Sequence, residues 1–250
     1  GKSVSAEAIM GIIESPPGFV TSGSVHYRGT DLLKLDERER RDIRGHRIAM
    51  IFQDAQAALD PGFTVGYQIA EMFRVHRGDS RREATAKAIE LMERVHIPSA
   101  RARASDYPYQ FSGGMSQRVM IAMAVALAPD ILIADEPTTA LDVTIQAQVM
   151  KLLAELQAET GMGLILITHD LGVVAEVADR VAVMYAGKFV ETGSIYEVYE
   201  RPAHPYTVGL MNSIPQLEQK GGKLNIIPGA PPVPTDIPPG CPFHPRCPLA

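Results

Sequence analysis

Four short apolar runs, residues 48–52, 131–134, 164–168 and 181–185, constrain the fold of this chain more than any other feature. Each has the length of a strand and is apolar throughout rather than alternating, the pattern of strands buried on both faces of a parallel sheet. Helix-forming stretches at 3–13, 81–95, 116–128 and 143–159 separate most of them, with stops at Pro98, Pro129 and Gly161. Alternating strand and helix predicts an α/β layered fold, whose ligands sit beyond the carboxyl ends of the strands. Residues 19–28 alternate around Val20, Val25 and Tyr27, which predicts an antiparallel hairpin at one edge of the sheet. From Gly66 to about Ala104 no strand pattern is present, so a helical insertion is expected there.

Composition narrows the function classes. The 250 residues, 27.1 kDa, are 46% hydrophobic and 21% charged, and no apolar run approaches the roughly 20 residues that cross a bilayer as a helix. Lys and Arg total 24 against 29 Asp and Glu, a formal charge of -5, so no basic field is available to recruit nucleic acid. The arginines of residues 36–47 are interleaved with Asp36, Glu37, Glu39 and Asp42, the mixture expected of a solvated helix face with i to i+4 pairs. Any anion is therefore bound locally; two places offer that chemistry, and a third offers carboxylates for a metal.

The first is Gly1-Lys2-Ser3 ahead of a helical segment that includes Val4. Gly-Lys-Ser at a helix N-terminus is the second half of a phosphate loop, in which the Lys reaches the β and γ phosphates and the hydroxyl holds magnesium. The chain starts there without an initiator Met, and the glycines of the loop's first half are expected to lie upstream of a cut. The second is Ser112-Gly113-Gly114-Met115 before a helix, where unpaired amides face the positive end of the helix dipole; an ordinary N-cap and turn is the alternative. The third is Ile131-Leu132-Ile133-Ala134-Asp135-Glu136, an apolar strand that delivers two carboxylates at its carboxyl end, one for a metal and one to polarise water. Gln53 follows one apolar run and His169 follows another.

Taken in order, these five elements resemble the ATP-binding-cassette (ABC) ATPases over the whole chain. The resemblance implies a phosphate-loop NTPase (RecA-like) core with a parallel sheet, an antiparallel edge hairpin, a helical insertion subdomain and a Pro-rich C-terminal extension. It divides the chain into 1–65 and 126–195 for the core, 66–125 for the helical signature subdomain and 196–250 for the extension. It also implies a head-to-tail dimer that sandwiches MgATP. Gly1, Lys2, Ser3 and Val4 would then bind the ATP of their own subunit, while Ser112, Gly113, Gly114 and Met115 grip the partner's ATP. Asp135 with Ser3 and Gln53 would hold magnesium, Glu136 would be the base, His169 would contact the γ phosphate, and Asp142, in the loop Thr139-Ala140-Leu141-Asp142, would cross the dimer interface. Met115 and Phe111 depart from the Gln and Leu of the commonest signature.

A narrower resemblance, to dipeptide and oligopeptide importer ATPases and to their nickel-importing relatives, rests on Tyr107-Pro108-Tyr109-Gln110, on Met115-Ser116-Gln117-Arg118-Val119 and on the tail. Twelve of the 19 prolines lie in residues 201–250, a stretch that includes His204-Pro205-Tyr206-Thr207, Ile227-Pro228-Gly229-Ala230-Pro231-Pro232 and Gly240-Cys241-Pro242-Phe243-His244-Pro245-Arg246-Cys247-Pro248. This resemblance implies two permease subunits, an extracytoplasmic substrate-binding protein acting through them, a second and different ATPase subunit, no nucleic acid, and a peripheral location on the cytoplasmic face of the membrane. Ala57, Leu59, Pro61 and Phe63 are candidates for a permease groove, with core packing the alternative for Leu59 and Phe63. In the full-length relatives the tail is implicated in an iron–sulfur cluster, of which Cys241 and Cys247 would be two ligands. Two thiolates do not complete a four-thiolate site, so no cluster is expected in these 250 residues; free thiols or half of a metal site are the alternatives. A soluble ABC protein of DNA repair would need a coiled coil between Gln53 and Ser112, where no heptad run exists. A degenerate nucleotide clamp would need neither Glu136 nor His169.

Overall fold

The computed structural model describes residues 1–139, 141–213 and 226–250. In chain order the elements are α1 (Lys2–Met10), β1 (His26–Tyr27), β2 (Thr30–Asp31), α2 (Glu37–Ile43), β3 (Ile48–Ile51), α3 (Ala55–Ala58), α4 (Val65–Arg77), α5 (Arg81–Arg94), α6 (Ala100–Arg103), α7 (Gly113–Val125), β4 (Ile131–Asp135), α8 (Val143–Thr160), β5 (Gly163–Ile167), α9 (Leu171–Val177), β6 (Arg180–Tyr185), β7 (Lys188–Ser194), α10 (Ile195–Glu200) and α11 (Pro205–Asn212). They fall into two compact units, one of residues 3–169 and one of residues 1–2 with 170–250.

In the first unit, β3, β4 and β5 form a parallel sheet in that order, with Ile48 opposite Ile131, Ile133 opposite Ile165 and Asp135 opposite Ile167. β3 and β4 are apolar runs with both faces covered: β3 is buried throughout, and Ile48, Met50 and Ile133 pack with Ala6 and Met10 of α1; β5, expected to be buried likewise, stays partly open, with Ile165 45% exposed. Each fully buried Ile or Leu of such a layer contributes about 1.5–3 kcal/mol. α7, buried nearly all round from Ser116 to Ala122, packs against β3. The insertion expected after Gly66 is helical, with α4 capped by Thr64 and α5 closed by a Ser80–Glu83 capping box. Gln68, 6% exposed, pins the loop before α4: its amide donates to the carbonyls of Asp60 (2.9 Å) and Phe63 (3.0 Å) and accepts from the N–H of Asp60 (3.0 Å).

Three local expectations change. The edge hairpin is displaced: β1 and β2 pair antiparallel across Arg28-Gly29, and residues 19–25 stay outside it, with Phe19 72% exposed. The run at 181–185 is a strand, but β6 pairs antiparallel with β7 across Ala186-Gly187 rather than joining the parallel sheet. Both corrections have one cause. Arg28-Gly29 and Ala186-Gly187 each hold two successive positive φ angles (49° and 85°, 47° and 80°), the turn whose twist returns a strand on itself at once. Finally, α2 is the exposed helix expected, but its guanidiniums are spent differently. Arg44 pairs with Glu37, seven residues away, and donates to the carbonyls of Met10 and Gly11, while Arg40 donates to Leu33.

In the second unit, the tail folds around Phe243, which is 1% exposed and has the rings of Tyr185 and Tyr206 at 5.2 and 5.4 Å. Arg246 ties the tail together through the carbonyls of Pro228 (2.8 Å) and Ile227 (3.1 Å) and the hydroxyl of Tyr185 (3.2 Å). Glu191 accepts from the N–H groups of Ala203 and His204 at the start of α11.

Candidate active site

The parallel register brings three strand ends to one place. β4 carries four apolar residues and then Asp135, 3% exposed, whose Oδ1 has no hydrogen-bond partner. A buried carboxylate oxygen without a donor is costly, which suits a position waiting for a cation. The next residue turns sharply: Glu136 sits at φ +47°, its N–H donates to the Ile167 carbonyl at the end of β5 (2.8 Å), and Thr139 N–H donates back to the Glu136 carbonyl (3.1 Å). A non-glycine residue in that region stores roughly 1 kcal/mol or more, and such strain concentrates at functional sites.

Side chains from the ends of β3 and β5 and from the turn after β4 meet the Glu136 carboxylate. Gln53, two residues beyond β3, donates Nε2–H to Oε2 (3.1 Å), and Thr139 donates its hydroxyl to the same oxygen (2.8 Å). His169, two residues beyond β5, places Nδ1 3.3 Å from Oε1 and is largely exposed. Asp54 fixes the segment after Gln53 by capping α3 through the N–H groups of Gln56 and Ala57.

Of the residues singled out in the sequence, Gln53, Glu136 and His169 thus form one cluster, with Asp135 one residue behind it. Lys2, Ser3 and Val4 form the first turn of α1, with Gly1 ahead of it; Ser3 and Val4 share the unit of the Glu136 cluster, whereas Gly1 and Lys2 group with the other unit. Ser112 is the N-cap position of α7, its side chain makes no capping bond, and Gly113, Gly114 and Met115 are the first helical turn, which holds no acidic residue. α7 therefore begins three residues earlier than its composition suggested, because both glycines join the helix. Gly114 is required by close approach: a Cβ there would lie 2.8 Å from Cγ2 of Ile145 in α8. Asp142 caps α8 by accepting from Ile145 N–H (3.0 Å). Ala140 lies outside the described residues. Of the groove candidates, Leu59 is buried, while Ala57, Pro61 and Phe63 are exposed, the last stacked on Tyr67 at 4.9 Å.

Sequence reasoning assigned no role to Thr139, although Pro137 three residues after Ala134 is a turn signal that brings Thr139 back toward Glu136. It also passed over Gln68, and it named Arg118 only within a motif; the buried Arg118 donates to the Val95 carbonyl and to Gln148 (both 2.9 Å), and its pKa is lowered by burial. Nothing in the local sequence announces those contacts.

A parallel α/β sheet with a buried Asp, a hydrogen-bonded Glu, a Gln and a His at its carboxyl end defines a nucleotide-hydrolase architecture of the phosphate-loop class. The sequence profile of the ABC transporter family matches residues 1–139, and that of the oligopeptide/dipeptide transporter C-terminal region matches residues 190–250. The chain belongs to the ABC transporter ATPases, in the branch that carries this C-terminal region. Among its relatives is the dipeptide transport ATP-binding protein DppD of Escherichia coli, 51% identical over 100% of this chain and 76% of the relative. DppD of Bacillus subtilis is 51% identical over 99% of this chain and 74% of its own length. Among solved structures, the dimeric post-hydrolysis state of the ATP-binding cassette MJ0796, bound to ADP and Pi, superposes with a TM-score of 0.67 at 29% identity, covering 78% of this chain and 81% of that one.

Proposed function

We propose that this chain is the ATP-hydrolysing subunit of an ABC importer of peptides, with Glu136 as the base that takes a proton from the attacking water. The observation that carries the assignment of Glu136 is its carboxylate held between Gln53, Thr139 and His169 at the end of β4. Peptide as the cargo is supported by the oligopeptide/dipeptide C-terminal region over residues 190–250 and by the dipeptide transport relatives.

Catalysis in such a site is positioning and charge stabilisation. Lys2 and the first turn of α1 face the β and γ phosphates of ATP, with Gly1 and Val4 completing that contact through their backbone. His169 holds the γ phosphate and steadies Oε1 of Glu136. The residues present fit magnesium: Asp135 offers a buried, unpartnered oxygen, and Ser3 and Gln53 supply neutral ligands. When bound, the ion neutralises charge on the β and γ phosphates. Ser112, Gly113, Gly114 and Met115 meet the ATP of a second ATPase subunit in a head-to-tail dimer, and Asp142 lies at that boundary. The cassette consists of residues 1–65 and 126–195, with 66–125 as the helical part and 196–250 as the extension.

Among the described residues no helix is long and apolar enough to cross a membrane, and none of the described His, Cys, Asp and Glu side chains gather in threes to hold a metal. In this reading the subunit sits at the cytoplasmic face of the membrane through two permeases, with Ala57, Pro61 and Phe63 as exposed contacts, and cargo is delivered by a substrate-binding protein. The two thiols do not fit an iron–sulfur cluster by themselves: Cys241 is exposed with its sulfur 3.8 Å from His204 Nε2, and Cys247 is the only other thiol.

The test is transport by the assembled complex in proteoliposomes. MgATP is expected to drive uptake of a labelled dipeptide. Uptake of radioactive nickel without uptake of peptide would overturn the cargo, and hydrolysis without uptake of either would overturn the importer.

A further inference from the structure

Glu136 and Thr139 are the first and last residues of one four-residue turn, closed by the Thr139 N–H on the Glu136 carbonyl (3.1 Å) with Pro137 at its second position. Proline fixes φ there, so the turn is set by local sequence. Its outcome is that the Thr139 hydroxyl donates to Oε2 of Glu136 at 2.8 Å, the shortest of the three side-chain contacts this carboxylate makes with Gln53, Thr139 and His169. Gln53 reaches the same oxygen from a segment 83 residues away in the chain. The two donors therefore differ in kind: one belongs to the turn that carries Glu136, the other to a separate segment that also has exposed neighbours on both sides.

We propose that Thr139 is the positioning residue for the base. It holds Oε2 and so presents Oε1, the His169 side, to the water proton. Because its contact lies within the turn, it keeps this orientation when Gln53 is drawn toward a ligand. This rests on the reading of Glu136 as the base.

The experiment is steady-state ATP hydrolysis by the full-length subunit in its assembled transporter. Thr139→Val, isosteric and exposed, is expected to lower kcat about tenfold, the worth of one hydrogen bond to a charged group, with KM for ATP and the melting temperature unchanged. Thr139→Ser restores the hydroxyl and is expected to recover kcat to within about twofold. In a Glu136→Gln background, Thr139→Val is expected to leave the residual rate as it is, because the group it orients is gone. Wild-type kcat in Thr139→Val, no recovery in Thr139→Ser, or a further loss on top of Glu136→Gln each overturns the role of Thr139. Should Glu136→Gln itself turn over ATP normally, the assignment of the base fails as well; a dead Glu136→Gln beside a normal Thr139→Val removes only the role of Thr139.

Discussion

Glu136 and Phe243 stand at the centres of two regions built on opposite terms. Around Glu136, polar side chains from residues 53, 139 and 169 converge at strand ends, exposed and joined only by hydrogen bonds. Around Phe243, aromatic rings close on a side chain that is 1% exposed, and Arg246 spends its donors on two carbonyls and a hydroxyl. Exposed hydrogen bonds add little to folding, whereas a buried aromatic adds several kcal/mol. The contrast teaches where each kind of residue acts: under the proposed function the first region serves turnover at small cost to stability, while the second attaches the tail.

Substitutions that separate those two currencies sharpen the comparison. The largest effect is expected for Glu136→Gln, a loss of turnover of about a hundredfold to ten-thousandfold with a melting temperature unchanged, read by phosphate release and calorimetry on the same sample. Phe243→Ala inverts the pattern. It is expected to cost about 3–5 kcal/mol within the tail's own unit, seen as faster amide exchange over residues 226–250, with ATP turnover retained. A turnover loss in Phe243→Ala as large as that of Glu136→Gln would break the comparison.

Between these lies Gly114→Ala, which belongs to the signature turn but acts first through packing. Its Cβ would meet Ile145 at 2.8 Å, and the overpacking is expected to cost about 1–3 kcal/mol, less in a double variant with Ile145→Ala. Denaturant unfolding of the two single variants and the double variant measures that coupling.

The smallest effect is a pH dependence of the tail unit. Burial pushes the Glu191 carboxyl up, but the N–H groups of Ala203 and His204 donate to it and the net pKa lies below the ordinary glutamate value. A lowered folded-state pKa stabilises the unit fully above the ordinary glutamate range, and that stability is lost as pH falls toward the lowered value. About 1 kcal/mol is expected to disappear across this acid window, and Glu191→Gln to flatten the dependence. An identical acid profile in the variant would remove Glu191 from the account.

How much of this was legible in the sequence follows the same division. The strands β3 and β4 announced themselves as apolar runs because burial on both faces leaves a continuous pattern, and Glu136 followed from its place at the end of one run, whereas Gln53 and His169 were marked by the resemblance to the ABC ATPases. One hairpin was misplaced and another, β6–β7, was missed because Arg28-Gly29 and Ala186-Gly187 are weak turn signals until their positive φ angles are seen. Thr139 was hidden because its role depends on one turn closing by a single backbone bond. The anchor at Phe243 was named only as part of a motif; its burial depends on Tyr185 and Tyr206, which no spacing rule connects to it.

The central claim is that the Glu136 carboxylate acts in turnover and not in nucleotide binding or folding. The most direct measurement is recovery of labelled nucleotide from the Glu136→Gln subunit, in its assembled transporter, after incubation with MgATP and rapid filtration. The account predicts wild-type amounts of bound nucleotide recovered as intact ATP. Bound ADP in wild-type proportion, or no bound nucleotide at all, would contradict it.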